Sequence, residues 1–214
     1  MNKGFDEYVE DLNVKLGGCL FFVEIGAMDG IHHDALYKHI VANPEWQGVL
    51  VEPLPDMFDK LKDNYKGNDN LKFENSAITD KNGIADITRI PFEKVNRECP
   101  EWADGISTLK PDQHIIGRYE NLKPHAVKES VKTITFAKLV EKYDIKKIDL
   151  LQMDTEGYDK EIFDQIWLTG FRPSIIKLEI LYLLHMVILE LMGLLQANGY
   201  SCRLQGEDLV AVRL

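Results

Sequence analysis

The chain has 214 residues, enough for one α/β domain with a sizeable core, and its 45% hydrophobic and 28% charged residues are an ordinary soluble composition. Thirty-five acids against 25 bases give a net charge of −10, which argues against a sequence-independent grip on nucleic acid. Cys19, Cys99 and Cys202 are far apart and form no CxxC pair, so neither a disulfide framework nor a zinc site is suggested, and a reducing, cytoplasmic setting is expected.

Phe5, Val9, Leu12 and Leu16 recur at helical spacing, so a short amphipathic helix precedes the first strand; no apolar signal-peptide region is visible before it. Leu20 to Val23 reads as a buried strand ending in Glu24. Gly26 and Gly30 then bracket a tight loop that also holds Asp29, and His32 to Val41 has helical spacing. A strand, a glycine loop and a helix form a nucleotide-type cofactor cradle. Phosphate loops avoid carboxylates, because like charges repel in a partly dry cleft. Glu24 and Asp29 therefore indicate a ligand with cationic and hydroxyl groups, and S-adenosylmethionine, with its ammonium, sulfonium and ribose, fits. A nicotinamide fingerprint is disfavoured, because Met28 stands where its second glycine belongs.

Gly48 to Pro53 reads as a second buried strand ending in an acid, followed by a helix opening at Asp56. Leu71 to Ala77 is a third strand. Asp80 to Gly83 supplies turn chemistry, and Ile84 to Ile90 alternates like an antiparallel strand. Residues 91–130, with Pro91, Pro100, Pro111 and Pro124, are the least regular part and read as a substrate lid. Val131 to Ile134 is a short strand, and Phe136 to Tyr143 a helix. Ile148 to Met153 is a buried strand ending at Asp154-Thr155-Glu156-Gly157. A helix through Ile162, Phe163 and Ile166 precedes the strand Ser174 to Leu178, which ends at Glu179. Ile180 to Ala197 is a long helix; its stripe to Leu195, interrupted by His185 and Glu190, is shorter than the roughly 20 residues of a bilayer span. Core packing is assigned to it first and a homodimer surface second. Tyr200–Leu204 and Asp208–Val212 form a final hairpin. The expected fold is thus α/β, a doubly wound, Rossmann-like, mostly parallel seven-stranded sheet with an antiparallel C-terminal edge hairpin, all in one domain over residues 1–214.

With these elements placed, the chain resembles the FkbM family of S-adenosylmethionine-dependent methyltransferases. The resemblance rests on Phe-Val-Glu-Ile-Gly-Ala-Met-Asp-Gly (22–30), Gly-Val-Leu-Val-Glu-Pro (48–53), Asn-Ser-Ala-Ile-Thr-Asp (75–80) and Leu-Leu-Gln-Met-Asp-Thr-Glu-Gly-Tyr-Asp (150–159). Gly105 to Leu109 and Glu207 to Val212 also look like the family, so coverage runs over roughly residues 20–212. The resemblance implies a class I methyltransferase fold and O-methylation of a sugar hydroxyl, on a deoxysugar or glycan residue such as rhamnose, with S-adenosylhomocysteine as product. A non-sugar small-molecule acceptor and a catalytically idle cofactor-binding scaffold are the alternatives.

Glu52 lies at the carboxyl end of the second strand, where an acid accepts both ribose hydroxyls of a nucleoside. Glu24 and Asp29 either contact the methionine end of the cofactor or only hold loop N–H groups. Asn75, Ser76 and Ala77 fall where the third strand presents the adenine. Gly26, Ala27, Gly30, Pro53 and Ser107, inside the matching motifs, complete the expected cofactor set. Asp154 and Glu179 end neighbouring strands and are the candidate catalytic carboxylates, since a sugar hydroxyl must give its proton to a positioned base. Alternatively they hold one Mg²⁺ that acidifies the hydroxyl, a thin ligand set ranked below a direct base. Glu156 reads as a cap of the next helix. His114 and His125 are further candidate bases, though loop histidines are more often simply exposed. His32 and His33 border the expected acceptor pocket, and Trp102, Tyr119 and Tyr158 are expected to face the sugar.

Overall fold

The computed structural model describes residues 3–103 and 105–213, except for the side chain of Trp102, whose expected sugar contact lies outside the described residues. In chain order the first elements are α1 (Phe5–Lys15), β1 (Phe21–Ile25), α2 (Tyr37–Ala42), β2 (Gln47–Val51), α3 (Pro55–Asn64) and β3 (Leu71–Glu74). Next come β4 (Ala77–Ile78), β5 (Gly83–Arg89), β6 (Ser107–Thr108), α4 (Ile115–Arg118), β7 (Val127–Ile134) and α5 (Phe136–Tyr143). The chain closes with β8 (Leu150–Met153), α6 (Asp159–Leu168), β9 (Ile175–Glu179), α7 (His185–Ala197), β10 (Ser201–Gln205) and β11 (Asp208–Val212).

The main sheet has seven strands in the order β10-β11-β9-β8-β1-β2-β3. β1, β2, β3, β8 and β9 pair in parallel, and β11 runs antiparallel to both of its neighbours. The central strands read as apolar runs because both of their faces are buried. Val23, Val49, Leu151 and Ile176 meet Leu139 of α5, Phe163 of α6 and Leu191 of α7. On the other face Phe22, Leu50 and Leu150 pack on Val9 and Leu12 of α1, Ile40 of α2 and Leu61 of α3. The strand order reverses at the parallel β1–β8 pair, so a crevice opens at the carboxyl ends of these strands. Among the described residues no helix is long and apolar enough to cross a membrane.

Five sequence expectations change. The helix expected from His32 begins only at Tyr37, because His33 is left-handed (φ 59°) and the Asp29 and Asp34 side chains accept the N–H groups of Ile31, His32 and Leu36. The strand expected over 71–77 splits: Asn75 turns back to donate to the carbonyls of Glu52 and Pro53, and Ala77–Ile78 joins a second sheet ordered β4-β7-β5-β6. That sheet gives β5 its antiparallel partner, β7, which starts at Val127 rather than Val131. Residues 91–130 are not loosely laid down, since Val95, Cys99, Ala103, Ile106, Ile116 and Leu122 close over Ile90 as a small apolar core. The last helix begins at His185, not Ile180, because the Ile180 N–H is taken by the Glu207 carbonyl. α7 buries Leu191 and Leu195 but leaves Met186 and Leu189 exposed.

Candidate active site

The loop after β1 approaches the end of β8 closely. Gly26 has φ +86°, and a Cβ there would stand 1.8 Å from the Asp154 carbonyl oxygen. Only glycine lets the two strand ends touch this way. Beneath the loop, Glu24 is 1% exposed, and its Oε1 accepts from Gln152 Nε2 at 2.9 Å. The same amide nitrogen reaches Asp34 Oδ1 at 3.2 Å. Burial first, and the Asp34 carboxylate next, hold the Glu24 carboxyl well above its ordinary range. Asp29 is a loop former: Oδ1 accepts the N–H groups of Ile31 and His32, and Oδ2 meets His32 Nδ1 at 2.6 Å. Gly30 packs against Leu61 of α3 and against Tyr65 just after it, and its carbonyl accepts the Tyr65 hydroxyl.

Glu52 follows β2 and is buried. Its two carboxylate oxygens accept from Met28 N (2.9 Å) and Leu54 N (2.8 Å), and burial pushes the group up to about 8. Beside it Pro53, Ser76, Ala77 and Met57 form one wall of a cleft of about 910 Å³ that opens at the strand ends. Gly26, Ala27, His33 and Ser107 also face that cleft, whereas Asp29, Gly30 and Asn75 stand behind it.

At the other end lie Asp154, Glu156 and Glu179, all on the cleft surface. Burial, then the Glu156 and Asp159 charges, push Asp154 up to about 8. Burial, then Asp154 and Glu156, push Glu179 up to about 11. Glu156 is left-handed (φ 54°) and is held from two directions. Its Oε2 meets His114 Nε2 at 2.7 Å, and its carbonyl accepts the Thr108 hydroxyl at 2.7 Å. The cap expected of Glu156 is a different contact, made to the 91–130 segment.

His114 Nδ1 accepts the Ile116 N–H, which assigns the proton to Nε2 and makes the ring a donor to Glu156. This histidine is 1% exposed, packs at a tilt against Tyr182 with ring centroids 4.1 Å apart, and stands behind the cleft wall rather than in it. His125 pairs with Glu98, and Tyr119, at 49% exposure, lies away from the cleft. Tyr158 lines the cleft with Lys110 Nζ over its ring. Sequence reasoning missed Asp34, Gln152, Lys177 and Tyr182. The signal for Gln152 and Lys177 was a polar residue inside an apolar strand, which marks the face turned to the cleft. Among the described residues no three His, Cys, Asp or Glu side chains gather around one point where a metal ion would sit.

Comparison with known proteins follows the same lines. Among solved structures, the chain is similar to an O-methyltransferase from Bacillus cereus in complex with SAH, at 14% identity, covering 99% of this chain and 82% of that one, with a TM-score of 0.49. It is also similar to an SAH-bound methyltransferase of Podospora anserina (11% identity, 100% and 79% coverage, TM-score 0.47). A third is precorrin-6y C5,15-methyltransferase from Geobacter metallireducens (14% identity, 95% and 86% coverage, TM-score 0.42). No curated protein matches the chain. Counted along the chain, the main-sheet strands run 3-2-1-4-5-7-6 with the seventh reversed, the class I methyltransferase arrangement. The methyltransferase FkbM domain model matches residues 24–202, and the chain belongs to this family of S-adenosylmethionine-dependent methyltransferases.

Proposed function

We propose that the chain methylates a hydroxyl of a sugar, with Asp154 as the proton acceptor. The donor set fits the cofactor. Glu24 Oε2, Asp34 Oδ2 and Gln152 Oε1 are buried acceptors with no donor facing them, and the ammonium of the methionine end supplies donors. Each Glu52 oxygen already accepts one N–H and keeps a second lone pair for a ribose hydroxyl. Met57, Ser76 and Ala77 offer the adenine a mostly apolar slot, and Asn75 positions Glu52 by bonding its backbone carbonyl. Bound in this cleft, S-adenosylmethionine supplies a methyl group activated by a positively charged sulfur.

The observation that carries the reaction is the place of Asp154. It is desolvated beside the glycine turn, so its affinity for a proton is raised toward what a general base needs. Asp154 would take the proton of the hydroxyl that is methylated, which leaves an uncharged ether. Glu179 flanks this position, and Tyr158 and Tyr182 present aromatic surface next to the carboxylates, a combination suited to a sugar ring. Residues 91–130 contribute Phe92, Ile106 and Ile115 as the far wall and act as the acceptor-side element. Methyl transfer from S-adenosylmethionine to a panel of deoxysugar glycosides, followed by linkage analysis of the product, tests this. A methyl ether on a sugar is expected. Transfer only to non-sugar hydroxyls, or stabilisation by NAD instead of S-adenosylhomocysteine, overturns the reading.

A further inference from the structure

The cleft has an unbalanced charge. Its described lining carries eight acidic side chains against two basic ones, Arg89 and Lys177. Both basic groups are already occupied: Arg89 grips Asp56 through two bonds of 2.6 and 2.9 Å and reaches Glu129, and Lys177 Nζ lies 2.8 Å from Asp208. The start of α6, the other feature at this end that attracts anions, is filled by the buried carboxyl of Asp159. Neither the Arg89 guanidinium nor the Lys177 ammonium is left free for a phosphate.

The same end is built to receive a cation. Glu156 is fixed by the His114 N–H, with its backbone pinned by Thr108, so its carboxylate is already oriented. Separately, Glu179 Oε2 lines the cleft with no hydrogen-bond partner, in a side chain only 7% exposed. A diol would satisfy that oxygen and leave the charge uncompensated, whereas an ammonium does both. Burial and the neighbouring carboxylates make Glu179 keep a proton unless another cation stands beside it.

We propose that Glu156 and Glu179 form an ammonium subsite, and that the acceptor is an amino sugar or its glycoside rather than a phosphorylated or nucleotide-linked sugar. The proposal rests on the methyltransferase reading and deepens it: the ammonium sits on Glu156 and Glu179 while a hydroxyl on a nearby carbon faces Asp154. Titration calorimetry of the S-adenosylhomocysteine-saturated protein with glucosamine, glucose and glucose 6-phosphate tests it, at about pH 6.5, below the ordinary pKa of an amine. Glucosamine is expected to bind at least about tenfold more tightly than glucose, with the phosphate weakest. Glu156→Gln should remove the preference and leave S-adenosylhomocysteine affinity unchanged; if that variant does not fold, Glu179→Gln makes the same test. Equal binding of glucosamine and glucose, tighter binding of the phosphate, a preference that survives substitution, or no binding by any of the three overturns the subsite. Failure of S-adenosylhomocysteine to bind the unaltered protein overturns the parent reading instead.

Discussion

Glu52 offers a quantitative test of the donor site. Its carboxyl is raised from 4.5 to about 8 by burial, yet to accept two ribose hydroxyls as charge-assisted bonds it must be ionised. At pH 7 only roughly a tenth of such a group is ionised, and at pH 8.5 about three quarters, so the Glu52 contribution to affinity should grow roughly eightfold across that interval. Glu52→Gln keeps the volume and removes the titration. It also leaves either Met28 N or Leu54 N facing an amide NH₂, so some loss of stability accompanies it. The assay is calorimetric binding of S-adenosylhomocysteine to both proteins between pH 7 and 8.5. The readout is the ratio of the two affinities, because other titrating groups cancel in it. At pH 8.5 the variant should bind about 10- to 100-fold more weakly, the worth of one hydrogen bond to a charged group. A ratio that stays flat with pH, or variant affinity equal to the original, refutes the ribose role.

Asp154→Asn should lower methyl transfer by about 10²- to 10⁴-fold while S-adenosylhomocysteine still binds; activity that survives both this change and EDTA removes the base and the metal readings together. Gly26→Ala places a Cβ 1.8 Å from the Asp154 carbonyl at φ +86°, so the melting temperature should drop, by about 2–4 °C for each kcal/mol lost, and cofactor affinity with it. An unchanged melting temperature would show that the turn yields more easily than its geometry indicates. Glu52 and Asp154 near 8, Asp159 near 7 and Glu179 near 11 all bind protons more tightly folded than unfolded. The cofactor-free protein should therefore lose stability as pH rises from about 4 through about 8. Melting curves at pH 5 and pH 8 check the sign, and a rise toward pH 8 contradicts it.

The main sheet was legible because strands buried on both faces, such as Gly48–Val51 and Leu150–Met153, leave uninterrupted apolar runs with acids at their ends. Glu24, Glu52, Asp154 and Glu179 were found from those strand ends. α5 matched its expected span because Thr135 caps it through the Lys138 N–H, a local contact. What stayed hidden depends on distant pairings. β4 pairs with β7 through Ala77–Thr133 and Ile78–Ile134, and nothing near either segment announces the other. His114 reads as a loop histidine until Glu156, 42 residues on, closes over it. The apolar residues from Val95 to Leu122 follow no helical or strand period, so their small core has no periodic signature.

The segment between β5 and β7 leaves and rejoins the fold at Arg89 and Val127, which face each other as partners on one antiparallel ladder. Because its two ends are fixed side by side, its length can vary at a cost that grows only with the logarithm of the loop. Grafting another relative's segment between these two rungs would therefore exchange the wall proposed to face the acceptor, while Gly26, Glu52 and the main sheet keep their register. The ladder thus anchors the segment at two adjacent rungs, so its length and sequence can change without moving the main sheet.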